Sequence, residues 1–345
     1  MAISVIIPVL DGAAFLGRCM DCLQRSELKP SEVIVVDDGS VDRSLDIAAE
    51  SGATIVRAGR QAGPGAARNL GASRSSGDLL VFLDADVLVH PDTLSRIQAR
   101  FDAEPALDAL IGSYDDDPPA PGFASQYKNL LNHYVHQHGH PEATTFWSAC
   151  GAIRREVFLS ERGFDESYRR PAIEDISFGY RLRRAGRRIA LDGAIQVTHL
   201  KRWTLGALLR SDIFDRALPW TRLILESGQL PDDLNLTVSQ RASALVAWIS
   251  IGCVAAGLWW PILLAPALLA AGVNVALNRS FFRLLVSRRG WPLALSALPL
   301  HFAYYVYSSV AFAAGAVLYF LVWRRRPVVR HSRLLERAGA SAQET

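Results

Sequence analysis

Short apolar runs alternate with amphipathic stretches through the first half of the chain, and that rhythm predicts its elements. Ile3-Ser4-Val5-Ile6-Ile7-Pro8-Val9 reads as a buried strand, followed by helical spacing from Ala13 to Arg25. Glu32-Val33-Ile34-Val35-Val36 is a second strand, Asp42 to Ser51 a helix, and Ala53-Thr54-Ile55-Val56-Arg57 a third strand. The Gly- and Pro-containing loop Gly59 to Gly65 opens a helix over Ala66 to Ser73, and Leu79-Leu80-Val81-Phe82-Leu83 is a fourth strand, apolar on both faces. Strands alternating with helices predict an α/β fold with a mainly parallel, doubly wound, Rossmann-like sheet.

The chemistry stands where these strands end. The second runs into Asp37-Asp38-Gly39-Ser40 and the fourth into Asp84-Ala85-Asp86. In extended backbone the i, i+2 spacing of Asp84 and Asp86 turns both side chains to one side of the sheet. Paired carboxylates are costly to bury unless a positive partner lies between them. A Mg²⁺-like cation carrying phosphate oxygens is such a partner. Open α/β sheets bind ligands beyond the carboxyl ends of their strands, so these acids predict a metal–diphosphate site. No G-x-G-x-x-G follows the first strand, where Pro8-Val9-Leu10-Asp11-Gly12 stands, and no P-loop occurs. Their absence argues against a dehydrogenase or an ATPase.

Further on, Asp92 to Phe101 reads as a helix capped by Asp92, and Tyr114 to Gly122, with Asp115-Asp116-Asp117, as a solvated loop. Asn132 to His140 carries His133, His136, His138 and His140 at uneven spacing, which predicts a mobile surface or acceptor-side loop rather than a metal site. Ile173-Glu174-Asp175 begins a helix with Ile176, Phe178, Tyr180 and Leu182 on its apolar face; Gly186 ends it, and Arg187 to Leu191 returns as a strand. The helix dipole favours the ionised form of an acid in the first turn, the form a general base needs. A plain helix cap is the simpler reading of the same residues.

Beyond Trp203 the pattern changes. Thr204 to Glu226 is amphipathic and suits a headgroup region, with Pro219-Trp220 as an interruption. Ala242 to Leu277 carries no charge and is broken by Trp259-Trp260-Pro261, predicting a hairpin of two short helices. Arg279, Arg283, Arg288 and Arg289 mark 278–290 as a cytoplasmic interfacial element. The uncharged stretch 293–323 reads as one long helix. The expected organisation is a catalytic domain over 1–203, a juxtamembrane region over 204–238, a membrane region over 239–326 and a polar tail over 327–345.

Composition adjusts this picture only a little. The 345 residues are 50% hydrophobic and 21% charged, with a net charge of +3, so no strong field argues for nucleic acid. Cys19 and Cys22 form a C-x-x-C with no second pair to complete a zinc site, and read as small core residues on a helix face. Four cysteines without a disulfide framework fit a reducing compartment. Met1 to Leu10 has no basic leader region, so the N-terminal part is expected in the cytoplasm.

Six segments in this order resemble the family-2 glycosyltransferases of GT-A fold. They are Val5-Ile6-Ile7-Pro8, Val35 to Ser40, Gly63-Pro64-Gly65-Ala66-Ala67-Arg68-Asn69, Leu83 to Asp86, Gly163-Phe164-Asp165-Glu166 and Ile173-Glu174-Asp175. The resemblance implies a metal-dependent transfer with inversion from a nucleotide-sugar, a UDP-sugar by default. It places Pro8, Asp37, Asp38, Gly65, Arg68 and Asp84 on the nucleotide-sugar, and Asp86 with Asp84 on Mn²⁺ or Mg²⁺. It makes Asp175 the base, supported by Glu174. His199-Leu200-Lys201-Arg202-Trp203 resembles the Q-x-x-R-W motif of processive synthases with histidine in place of glutamine. His199 is implied as a further metal or diphosphate ligand, and Arg202 and Trp203 as acceptor contacts, Trp203 being equally suited to a buried interfacial position. The expected partners are a lipid-linked or glycan acceptor and membrane lipids, at the inner membrane with several crossings and the catalytic domain facing the cytoplasm. A polyprenyl-phosphate glycosyltransferase is the alternative, and a non-catalytic nucleotide-binding scaffold the weaker one.

Overall fold

The computed structural model describes residues 1–59 and 61–325; the predicted tail over 327–345 lies outside them. The described chain divides into two compact units, one of residues 1–59, 61–120 and 139–202, the other of residues 121–138 and 203–325.

The first unit is built on one eight-stranded sheet. Its first strands and helices are β1 (Ile3–Val9), α1 (Ala13–Arg25), β2 (Glu32–Asp37), α2 (Ser44–Glu50), β3 (Thr54–Arg57), α3 (Pro64–Arg74) and β4 (Leu79–Leu83). Then come β5 (Val87–Val89), α4 (Thr93–Ala103) and β6 (Ala109–Tyr114). After α5 (Phe123–Gln137), which belongs to the second unit, follow β7 (Cys150–Arg154), α6 (Arg155–Ser160), α7 (Glu174–Arg184) and β8 (Ile189–His199). The order across the sheet is β3-β2-β1-β4-β7-β6-β8-β5. β3, β2, β1 and β4 are parallel, as the sequence rhythm predicts. The other half corrects the mainly parallel expectation: β7 runs antiparallel to both β4 and β6, and β5 antiparallel to β8. Apolar runs carry no direction, and β6 and β7 lie outside the strands that the sequence predicts. β8 is also longer than the predicted Arg187–Leu191 and ends on His199.

Alternation along the strands builds two core layers. Val5, Ile7, Val35, Val81 and Leu83 pack with Leu16 and Met20 of α1 and Leu94 and Ile97 of α4. Ile6, Ile34, Val36, Leu80 and Phe82 face the other way, onto Ala67 of α3 and Phe178 of α7. Phe82, Phe146, Phe158, Phe164 and Phe178 interlock there, with ring centroids 5.0 to 6.2 Å apart. α3 lies close on the sheet because Gly71 has no side chain: a Cβ there would meet Ile6 Cγ2 at 2.6 Å. Cys19 is buried in the first layer, and all four cysteines are free thiols. Asp92 precedes α4 but does not cap it through its side chain, which bonds Arg96 instead.

The second unit is helical. α5 corrects the predicted histidine loop: the helix runs through Gln137, and His133 is buried. α8 (Leu205–Arg210), a π-helical turn (Ser211–Ala217) and α9 (Leu218–Ser227) form a continuous run. The expected break at Pro219 is absent, because the wide π turn just ahead of it absorbs the lost hydrogen bond. α10 (Val238–Gly257) and α11 (Leu264–Leu277) form the predicted hairpin about a 3₁₀ turn at Pro261–Leu263. α12 (Arg279–Leu321) runs through both the stretch expected to be interfacial and the expected long helix, with a kink between them at Gly290 (φ 79°, ψ 176°). Val238–Gly257 and Arg279–Leu321 are long and apolar enough to cross a membrane.

Candidate active site

The acids at the carboxyl ends of β2 and β4 are held in different ways. Asp37 accepts a hydrogen bond from Ser40 N at 2.8 Å, closing the turn after β2. Asp38 accepts from Ala62 N at 2.8 Å and Gly63 N at 2.9 Å, one on each oxygen, so its carboxylate organises the loop entering α3. Gly63 is required in that loop: its φ is +98°, and a Cβ would sit 2.4 Å from Tyr168 O. Pro8 lies next to Val36 in the β1–β2 register, close to the same strand ends.

Arg68 and Asn69 of α3 connect the motifs. The Arg68 side chain is only 4% exposed and donates to Asp84 Oδ1 at 2.6 Å and Glu174 Oε1 at 3.0 Å. Its guanidinium is thus committed to two carboxylates, where the resemblance had implied an approach to the nucleotide. Asn69 donates to Phe164 O and accepts from Phe164 N, pinning the Gly163–Glu166 loop. Gly65 sits beside the same loop, with room for a Cβ only 3.2 Å from Asp165 O.

Glu174 and Asp175 open α7 but differ in surroundings. Glu174 is buried and accepts from Arg68 and from Ala172 N at 2.9 Å. Burial, with the Asp175 charge beside it, pushes the Glu174 carboxyl above its ordinary value, and Arg68 opposes the shift. Asp175 is half-buried, accepting from Ile176 N at 2.8 Å and from Ser148 N and Oγ, both at 3.2 Å. Ser148, just ahead of β7, had no sequence signal.

At the far side of the strand ends, pairing of β5 with β8 sets Val87 opposite His199. This brings His199 Nε2 to 3.5 Å from Asp86 Oδ2. Leu200 N donates to Asp86 O, and the His199 ring stacks on Tyr114 at 4.3 Å and 11°. Burial works against ionisation of Asp86, but the hydrogen bond and charge of His199, with Lys201, hold its carboxyl below the ordinary value. Asp84 and Asp86 remain 33% and 24% exposed. Among the described residues no three His, Cys, Asp or Glu side chains converge to hold a metal by themselves. The oxygen and imidazole donors fit a Mn²⁺- or Mg²⁺-type ion whose shell is completed by water and phosphate oxygens.

Arg202 is exposed. Trp203 belongs to the helical unit, where it is 8% exposed in a cluster with Tyr127, Leu208 and Phe281, and Ser125 Oγ accepts from its backbone N at 2.8 Å. Its indole offers no open face there for a sugar to stack on.

A half-parallel sheet with acids at its strand ends, an arginine bridging two of the motifs and a histidine returned beside the second acid has the arrangement of a GT-A-type α/β fold. Comparison with known proteins agrees. Residues 4–160 match the family model Glycosyl transferase family 2. An uncharacterized glycosyltransferase of Haemophilus influenzae is 32% identical over 118 residues, covering 32% of this chain and 46% of that protein. Glycosyltransferase AglE of Haloferax volcanii is 39% identical over 138 residues, covering 38% of this chain and 45% of that protein. The chain thus spans less than half the length of these curated relatives. In fold it resembles a mannosyltransferase from Pyrobaculum calidifontis solved with GDP-Man and Mn²⁺, at TM-score 0.58 and 17% identity, covering 94% of this chain and 88% of that one.

Proposed function

We propose that the protein is a membrane-attached inverting glycosyltransferase, moving a sugar from a nucleotide-sugar, by default a UDP-sugar, to a hydroxyl of a lipid-linked or envelope-glycan acceptor. The observation that carries this reading is the division between two adjacent acids: Glu174 is buried and committed to Arg68, while Asp175 is half-buried and oriented by Ser148. Asp175 is the base, and Glu174 positions it. As the acceptor oxygen bonds to the anomeric carbon, its proton passes to Asp175. The bond from that carbon to the diphosphate oxygen breaks, and its electron pair leaves with the nucleoside diphosphate.

On the donor side, Asp37 and Asp38 shape the turn and loop beside Pro8 and Gly65, and Arg68 acts by fixing Asp84. Asp86, with Asp84 and His199, would hold the divalent ion, which when bound neutralises charge on the leaving diphosphate. The exposed apolar side chains of α10, α11 and α12 support residence in the membrane, and the arginines at 279, 283, 288 and 289 support a cytoplasmic placement of that segment.

The test is a panel of nucleotide-sugars incubated with the full chain in detergent, with Mn²⁺ or Mg²⁺, followed by lipid extraction with the best donor. Metal-dependent turnover of one donor, lost in Asp86→Asn, is expected. No turnover of any donor with either ion would leave the non-catalytic scaffold as the better account.

A further inference from the structure

The helical unit holds a half-open cavity of about 370 Å³, within the roughly 300–1,000 Å³ range of small-ligand sites. Leu131, Trp220, Ile224, Leu230 and Phe312 give it apolar walls. Its charged groups do not balance. Lys128 Nζ donates to Asp212 Oδ1 at 2.6 Å, both side chains being at most 7% exposed, and the Tyr307 hydroxyl donates to Asp212 Oδ2 at 2.7 Å. That acid, the single carboxylate among the lining residues, is therefore already neutralised. Two arginines remain. Arg241 is exposed and shares Asp232 at 3.3 Å. Arg216 is half-buried and makes no hydrogen bond or ion-pair contact of its side chain among the described residues; Asp212 feels its charge but is held by Lys128 and Tyr307.

A guanidinium whose one lining carboxylate is already bonded by Lys128 and Tyr307, beside hydrocarbon walls, suits a ligand with an anionic end and an apolar body. Arginine suits phosphate because its fork of donors matches two oxygens at once. We propose that this cavity binds a single-chain lipid phosphate, an alkyl or isoprenyl monophosphate or the phosphoryl end of a carrier lipid. Arg216 and Arg241 take the phosphate, and the chain lies along Trp220, Ile224 and Phe312. Nothing in the transfer chemistry requires this site. The proposal rests on the membrane-attached reading only in that such a ligand is met at a bilayer.

The experiment labels the full chain in phosphatidylcholine nanodiscs with a diazirine-bearing dodecyl phosphate and maps the cross-linked peptides. Label is expected on the segments around Trp220 and Phe312. Excess dodecyl phosphate should lower it, whereas dodecanol, dodecanoate and dodecyltrimethylammonium should not. Arg216→Gln removes the charged donor and should cut labelling about tenfold. Ala244→Phe, which fills the cavity without touching a charge, should cut it comparably, while Arg210→Gln, exposed and outside the lining, should leave it unchanged. Equal competition by dodecanol, dodecanoate or a diacyl phosphatidate overturns the proposal, as does full labelling of Ala244→Phe. Labelling is read without sugar transfer, so Asp86→Asn should keep its label while losing turnover. An unlabelled wild type that still transfers sugar would sink the lipid-phosphate site and leave the function standing.

Discussion

In the sheet unit Val5, Ile7, Val81 and Phe82 are 0% exposed, and the acids stand where strands end. In the helical unit Leu258, Trp259 and Ile262 are 78%, 72% and 78% exposed, while Lys128, Asp212, Asn274 and Asn278 are buried. The buried polar groups there find one another: Asn274 Nδ2 donates to Ser243 O at 2.8 Å, Asn278 Nδ2 to Ser243 Oγ at 3.1 Å, and the Tyr305 hydroxyl to Asn278 Oδ1 at 2.7 Å. Water rewards the first arrangement by expelling apolar surface. The second is what hydrocarbon surroundings favour, where helices gain little from burying leucine and associate through packing and hydrogen bonds. Polarity distribution thus sets the two units apart, and the pattern of the helical unit supports the proposed residence in a membrane.

Four measurements press on this contrast. The largest effect is expected in the sheet unit, where Asp175→Asn should lower kcat by roughly 10²- to 10⁴-fold with an unchanged unfolding midpoint. Near-full activity would mean that the acceptor arrives already ionised, as a lipid phosphate would, and would end the base role. Next come the two buried ion pairs, one in each unit. Arg68→Met strands the buried Glu174 and should cost about 3–5 kcal/mol by denaturant unfolding in detergent; Lys128→Met leaves Asp212 with the Tyr307 hydroxyl and the Arg216 charge, and should cost less. The double change Lys128→Met with Asp212→Leu should recover most of that loss, and no recovery would show that the pair does more than balance charge. Third, Leu268, 75% exposed on α11, should be costly to charge if it faces lipid. Leu268→Arg should weaken membrane insertion by about 2.5–3.5 kcal/mol, read as the fraction surviving alkaline carbonate extraction; no change means that this face meets water.

The smallest effect concerns His90, whose Nε2 lies 3.1 Å from Asp115 Oδ2. The hydrogen bond to Asp115 raises the His90 pKa above its ordinary 6.5 despite partial burial. Burial opposes ionisation of Asp115, but His90 and Thr198 hold its carboxyl below the ordinary 3.8. The histidine's contribution is complete below 6.5 and fades as pH rises through its raised value. The acid's contribution is complete above 3.8 and fades as pH falls through its lowered value. Urea midpoints across pH should therefore decline slightly on the alkaline side, and His90→Gln should flatten that limb.

Much of the sheet unit was legible in advance. β1 to β4, their helices and the acids at their ends follow from apolar runs and turn residues that act locally, and the start of α7 at Glu174 was readable from Ile173-Glu174-Asp175. The hairpin of α10 and α11 was equally plain, since an uncharged run with a Trp-Trp-Pro break has few other solutions. Less visible were the antiparallel strand β7, the membership of α5 in the helical unit and the anchoring of Asp175 by Ser148. Each depends on partners far away in the chain, and a strand's own residues do not state which neighbour it will take or in which direction.

Asp84-Ala85-Asp86 shows where the division falls. The sequence by itself determined that two carboxylates stand at the end of a fully buried strand, because local periodicity and the cost of burying charge leave little else. Only the tertiary structure decided their company. Arg68, carried on a helix lying close to the sheet over Gly71, reaches Asp84 and Glu174 together. The register of β5 on β8 delivers His199 to Asp86. The contacts of Arg68 with Glu174 and of His199 with Asp86 join residues more than a hundred positions apart, which come together only once chain folding has closed the loops between them.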